Sequence, residues 1–237
     1  MLKRALPFIV GYLMLFVLMV VLIIAYPKGE LHILLNSIHT KMGDTLFKFL
    51  TLLAEWPLYV VAVLSLLVCK KWWVVFYAAC ECVGATLVTT LKYIFRMPRP
   101  ATFFHDRVSA YLPVVDGVHL HHAPSFPSGH ASTFFIFVTV VVILLSIHYR
   151  ILQHRNIRYI ALFSCQIALL LLAALGAYSR IYLSQHFLED VFAGSIIGVV
   201  VPFAMFSFFA TKLKKDRATI QTGSDSDPES HSPQTTN

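Results

Sequence analysis

The sequence predicts an all-α membrane protein: a six-transmembrane helix bundle with an interfacial amphipathic helix. Three observations carry that expectation. Of the 237 residues, 57% are hydrophobic and only 13% charged, and the mean hydropathy is +0.71, so much of the surface needs lipid as its solvent. Six apolar runs approach the ~20 residues a helix needs to cross a bilayer. The basic residues gather between those runs, where membrane topology uses them. The formal charge of +7 follows from that placement and is not a nucleic-acid profile.

The runs fall at 5–26, 50–69, 72–91, 130–148, 159–178 and 187–210. The first follows Lys3 and Arg4 but is too long for a secretory signal. Tyr26-Pro27-Lys28 is not a small-residue cleavage site, so the run reads as an uncleaved anchor. Between the first two runs, Leu31, Leu34, Leu35, Ile38, Met42, Leu46 and Phe49 recur at helical spacing. Residues 30–48 therefore read as an amphipathic helix in the outer interface, either a connector or a collar that guides a headgroup. The segment 101–126 is the longest connection, and long loops in compact proteins are often functional. Its His119, His121 and His122 have no carboxylate or thiol partner in fixed register, so no metal is expected. Cys69, Cys80, Cys82 and Cys165 read as single buried thiols. Residues 1–215 form one membrane domain, and 216–237 a polar, disordered cytoplasmic tail.

Orientation follows from the basic residues. With the N-terminus in the cytoplasm, Lys3, Arg4, Lys70, Lys71, Arg150, Arg155, Arg158, Lys212, Lys214, Lys215 and Arg217 lie inside, eleven in all. The eight outside are Lys28, Lys41, Lys48, Lys92, Arg96, Arg99, Arg107 and Arg180. Three of those eight belong to a candidate site, and without them the bias is toward both termini inside.

Three distant stretches carry chemistry, all on the non-cytoplasmic face. Lys92 ends the third run, and Arg99 follows between Pro98 and Pro100, which stiffen the turn and block further helix. Arg99 and Arg180 can each grip phosphate oxygens with two N–H groups, while Lys92 acts as a point charge. Arg96 reads as an interfacial residue that snorkels. Pro127-Ser128-Gly129-His130 meets the fourth run, where it opens a helix whose N-terminal N–H groups suit an anion. Ser128 adds a hydroxyl, Gly129 lets the backbone come close, and His130 titrates in the range needed to protonate a departing oxygen. His186 and Asp190, four apart at the start of the sixth run, face each other on a helix. A carboxylate on one ring nitrogen frees the other to attack. Glu55 and Glu81, carboxylates inside apolar runs, are left outside the site, and Glu189 points elsewhere.

Together these form Lys-x6-Arg-Pro, Pro-Ser-Gly-His and Ser-Arg-x5-His-x3-Asp, in that order from Lys92 to Asp190. This resembles the type 2 phosphatidic acid phosphatase superfamily, which shares its site with vanadium haloperoxidases. The resemblance implies His186 as a nucleophile forming a phosphohistidine, Asp190 as its orienting partner and His130 as the acid. It implies Lys92, Arg99, Ser128, Gly129 and Arg180 as the phosphate-binding groups. It also implies no metal and no cofactor, because cations and N–H groups already balance the developing charge.

The expected activity is hydrolysis of a lipid phosphate monoester or pyrophosphate. An envelope lipid is favoured, lipid A phosphate or undecaprenyl pyrophosphate, with phosphatidylglycerol phosphate and phosphatidic acid open. The expected partners are that substrate and membrane lipids, with no nucleic acid and no obligate protein. The expected location is a bacterial inner membrane. Transfer of the phosphoryl group to an alcohol, and a non-catalytic membrane role, stand as alternatives. A soluble haloperoxidase does not fit six spanning runs.

Overall fold

A computed structural model describes residues 2–69, 71–108, 112–122, 124–148 and 155–224. The described residues are almost entirely helical, and the chain divides into two compact units, residues 1–202 and 203–237. The helices are α1 (Leu2–Ala25), α2 (Lys28–Leu35), α3 (Lys41–Leu53), α4 (Trp56–Cys69), α5 (Lys71–Phe95), α6 (Pro100–Phe103), α7 (Gly129–His148), α8 (Arg155–Tyr182) and α9 (Leu188–Ser224). A π-helical turn, Phe104–Val108, continues α6. Among the described residues, five spans are long and apolar enough to cross a membrane, or six if the bent pair α3 and α4 counts as one. The protein is thus an integral membrane protein.

Helix α7 is the core. It is apolar on every side, as a helix surrounded by others must be, and Phe134, Phe135, Ile136, Val138 and Ile143 are all buried. Helices α1, α5 and α8 pack around it. Their outward faces carry exposed Leu, Val, Met and Phe, such as Met14, Leu87 and Leu171, an arrangement that only lipid accommodates. Cys82 and Cys165 also lie on those faces, so only Cys80 of the described thiols is the buried one expected. Polar contacts fix how the helices meet. The Gln166 amide on α8 accepts from the Phe8 N–H at 3.1 Å and donates to the Arg4 carbonyl at 2.9 Å. The Tyr12 and Ser195 hydroxyls join α1 to α9 at 3.1 Å. Close contact between α7 and α9 needs Gly194 and Gly198, where a Cβ would come within 2.4 Å of the Ser128 carbonyl and of Phe135 Cβ respectively.

Three expectations need correction. The amphipathic stretch 30–48 is not one helix. It breaks at Asn36–Thr40, where the Asn36 amide donates to the Pro113 carbonyl at 3.1 Å and the Ser184 hydroxyl at 2.6 Å. Thr40 then caps α3, its hydroxyl accepting from the Gly43 N–H at 3.0 Å. The run 50–69 is also broken, with a bend of 58° between Lys41–Leu53 and Pro57–Leu64. Pro57 has no N–H to continue the ladder of α3, so the chain closes with tight bonds from Ala54 to Thr51 and Glu55 to Leu52. Finally, Pro100 does not end helical structure. It occupies the first position of α6, where a missing N–H costs nothing.

In the second unit, residues 203–224 continue α9. The stretch 216–224, read from sequence as tail, is helical as the end of α9. Residues 225–237 lie outside the described residues.

Candidate active site

Two helix ends and two helix starts build the site. Helix α5 stops because Arg96 takes a left-handed conformation, φ 45°, with its N–H on the Lys92 carbonyl at 3.1 Å. Its guanidinium lies over the Tyr93 ring at 4.9 Å, outside the site. Lys92 is left in the last turn of α5, its Nζ donating to the carbonyls of Pro124 and Ser125 at 2.8 and 3.0 Å. The turn then delivers Arg99, buried at 8% exposure, as the residue that opens α6. Arg99 donates to the carbonyl of Gln185 at 3.1 Å and to its side-chain oxygen at 3.4 Å.

At the end of α8, Ser184 is left-handed, φ 54°. The chain folds back so that the Arg180 carbonyl accepts from both Gln185 and His186, at 2.9 and 3.0 Å. This hairpin sets His186 beside the Arg180 side chain. Arg180 is buried, donates to the Thr51 hydroxyl on α3, and keeps a buried Nε without a hydrogen-bond partner among the described residues. His186 itself precedes α9 by two residues and is not on the helix, as its spacing suggested. Asp190, in the first turn of α9, reaches back to it. The His186 Nδ1 to Asp190 Oδ2 distance is 3.2 Å, and the same oxygen accepts from the Phe187 N–H at 3.0 Å.

Ser128 caps α7, its hydroxyl oxygen accepting from the Ala131 N–H at 3.4 Å. Its hydrogen is thus still available for a ligand. The Ser128 N–H donates to the Asp190 carbonyl at 2.9 Å, which joins the second motif to the third. Gly129 has room around it, the nearest neighbour of an added Cβ being Val88 at 3.8 Å. His130 follows in the first turn, its Nε2 at 3.9 Å from Glu55. Glu189 turns away to Lys28 at 3.9 Å.

Lys92, Arg99, Ser128, Gly129, His130, Arg180, His186 and Asp190 thus lie at one end of the bundle. Four residues beside them had been missed or set aside. Ser125 Oγ is 3.2 Å from His186 Nδ1 and donates to Asp190 Oδ2, so it helps fix the imidazole. Its sequence signal was its position in the proline-bracketed Pro124-Ser125-Phe126-Pro127. Gln185 orients Arg99 and donates to the His119 carbonyl at 3.0 Å, which draws the long connection over the site. Thr51 and Glu55 come from the broken span, where Thr51 accepts from Arg180 and Glu55 faces His130.

The electrostatics favour an anion. Three cations face one buried carboxylate, and His186, Ser125 and Phe187 all engage its Oδ2. Burying such charge without a counter-ion is expensive, and a phosphoryl group supplies one. Burial pushes the His186 pKa below the ordinary histidine value, and Asp190 only partly offsets that. The ring is therefore neutral near pH 7. Asp190 can only accept at Nδ1, so the proton sits there and Nε2 carries the lone pair. Burial also lowers the pKa of His121, reinforced by Arg99 and Arg180. No cluster of metal-ligating side chains occurs among the described residues.

Comparison with known proteins identifies the family. No curated protein sequence matches the chain. Among solved structures, LpxE from Aquifex aeolicus is similar with 26% sequence identity and a TM-score of 0.56, over 75% of this chain and 93% of that one. A transmembrane PAP2-type phosphatidylglycerolphosphate phosphatase from Bacillus subtilis shares the fold at 20% identity and a TM-score of 0.61, over 89% of this chain and 98% of that one. The model of the PAP2 superfamily matches residues 71–214. That match spans more than half of the chain and takes in every motif from Lys92 to Asp190, so the chain belongs to the PAP2 superfamily.

Proposed function

We propose that this protein is a lipid phosphatase that hydrolyses a phosphate monoester or pyrophosphate of an envelope lipid through a phosphohistidine. The observation that carries the reading is His186. It is held by Asp190 at 3.2 Å, with its free nitrogen in a cup that also holds Arg99 and Arg180, at one end of a membrane-spanning bundle. His186 Nε2 attacks phosphorus, and the lipid oxygen leaves with a proton from His130. Water then attacks the phosphohistidine and releases inorganic phosphate. Lys92, Arg99, Arg180, the Ser128 hydroxyl and the backbone N–H groups at the start of α7 hold the non-bridging oxygens as charge builds on them. These groups balance that charge without a metal ion.

Lipid A phosphate and undecaprenyl pyrophosphate are the favoured substrates, with phosphatidylglycerol phosphate and phosphatidic acid as the comparison set. The location that fits is a bacterial inner membrane with both termini in the cytoplasm and the site on the periplasmic face. The test measures phosphate release from all four lipids side by side, with and without EDTA, and traps the enzyme with a ³²P-labelled lipid. Wild type should release phosphate equally with EDTA and carry an acid-labile, base-stable label. His186→Ala should carry none and release no phosphate. Labelling or full turnover in His186→Ala removes it as nucleophile. Loss of activity on chelation, restored by one divalent ion, overturns the metal-free reading.

A further inference from the structure

A cavity of about 340 Å³ opens between α4, α5 and α7, lined by Glu55, Tyr59, Glu81, Gly129, His130 and Thr133 among others. Its two carboxylates are used differently. Glu81 Oε2 accepts from the Thr133 hydroxyl at 3.4 Å, and that hydroxyl meets the Tyr59 hydroxyl at 3.2 Å, so Glu81 belongs to a packed polar network. Glu55 stands at the break between α3 and α4, half exposed, with Oε1 at 3.9 Å from His130 Nε2. That ring nitrogen is buried and has no hydrogen-bond partner among the described residues. A small rotation of Glu55 would satisfy it.

The charge balance shows why a carboxylate is needed there. His130 feels the positive charges of Arg180 and Arg99. An imidazolium at 130 adds a further charge of the same sign, and Asp190 has its Oδ2 engaged by His186 and Ser125. We propose that Glu55 is the positioning residue of His130: it orients the imidazole and supplies the counter-charge that lets it carry a proton in a cationic site. This rests on the reading of His130 as proton donor. It also gives the broken span a purpose. Thr51, before the bend of 58°, and Glu55, within it, meet Arg180 and His130 respectively.

In the first half-reaction the His186 N–P bond forms and the P–O bond to the lipid breaks. The electron pair stays on the leaving oxygen, which takes the His130 proton. In the second, water attacks the phosphohistidine and gives a proton to His130. The N–P bond breaks and its pair returns to His186. Glu55 exchanges no proton with the substrate and faces an imidazolium at the start and end of each cycle.

The test takes the phosphate monoester lipid that the wild type hydrolyses fastest and compares it with its analogue carrying sulfur in place of the bridging ester oxygen. An alkoxide needs a proton to leave, whereas a thiolate leaves without one. With detergent-solubilised full-length protein, Glu55→Gln should lower kcat/KM for the oxygen ester by about tenfold or more and leave the sulfur analogue within about twofold of wild type. Glu55→Asp should recover part of the loss, and His130→Ala should show the same selectivity more strongly. Glu55→Gln matching wild type on both, or losing equally on both, overturns the inference while the phosphatase reading stands. Equal loss on both substrates in His130→Ala, or a wild type that hydrolyses none of the four lipids, overturns the reading of the site itself.

Discussion

His32 is the least conventional side chain beside the site. It is 1% exposed, neither ring nitrogen has a hydrogen-bond partner among the described residues, and it packs against Phe104 and Phe187 at centroid distances of 5.8 and 5.1 Å. Burial lowers its pKa from 6.5 to about 4, with Asp190 opposing and Lys28 adding to the shift. Below the ordinary value of 6.5 the unfolded chain takes up a proton here and the folded one does not, so stability falls as pH drops from 6.5 toward 4. The loss reaches roughly 1 kcal/mol by about pH 5.5. His32→Leu should flatten this part of the pH dependence of thermal unfolding in detergent. An unchanged slope between about pH 7 and 5 would show that His32 is not its source. Phe187, against which His32 packs, directly follows His186, so this uncharged packing supports the backbone that carries the nucleophile.

At the scale of elements, two glycines at the same junction have different purposes. Gly194 is where α9 meets the start of α7, and an added Cβ would sit 2.4 Å from the Ser128 carbonyl and 3.1 Å from Ala131 Cβ. An added Cβ at Gly129 would meet only Val88, at an ordinary contact distance of 3.8 Å, so its missing side chain serves a ligand rather than packing. Gly194→Ala should cost about 1–3 kcal/mol of stability as overpacking and lower activity with it, since Ser128 moves. Gly129→Ala should unfold at the wild-type temperature yet raise KM severalfold. Thermal unfolding paired with lipid kinetics separates the two, and an unchanged KM in Gly129→Ala would deny the backbone approach of phosphate at that residue. The sequence made Gly129 visible because it lies in a motif, whereas Gly194 lies in an apolar run that looks like any other. The same asymmetry explains the other differences. Helices α1, α5, α7, α8 and α9 were legible because length and hydropathy decide a membrane helix. The breaks at Asn36–Thr40 and at Ala54–Glu55 were not, because hydropathy averages over them. Pro57 was the local signal, and the apolar window around it hid its effect. Ser125, Gln185 and Thr51 were hidden for another reason: each acts through a contact made by a residue far away in the chain, and spacing carries no information about that.

For the whole molecule, the decisive property is that every chemical group lies at one end. Lys92 is in the last turn of α5 and Arg180 in the last turn of α8, while Ser128 precedes α7 and Asp190 stands in the first turn of α9. Helices that run up and down in alternation bring the ends of α5 and α8 to the same side as the starts of α7 and α9. Which side of the membrane that is depends on the flanking charges, eleven basic residues against eight, and the eight include three that bind substrate in the proposed mechanism. A labelling experiment measures the orientation directly. With Cys69, Cys80, Cys82 and Cys165 replaced by Ala, Asp116→Cys samples the long connection over the site and Lys3→Cys the opposite end. In right-side-out membrane vesicles an impermeant maleimide should label Asp116→Cys at once and Lys3→Cys only after detergent is added. The reverse order would place the cationic cup in the cytoplasm. The hydrolytic chemistry would survive that result, since no step depends on orientation, but an outer-leaflet envelope lipid could no longer reach His186.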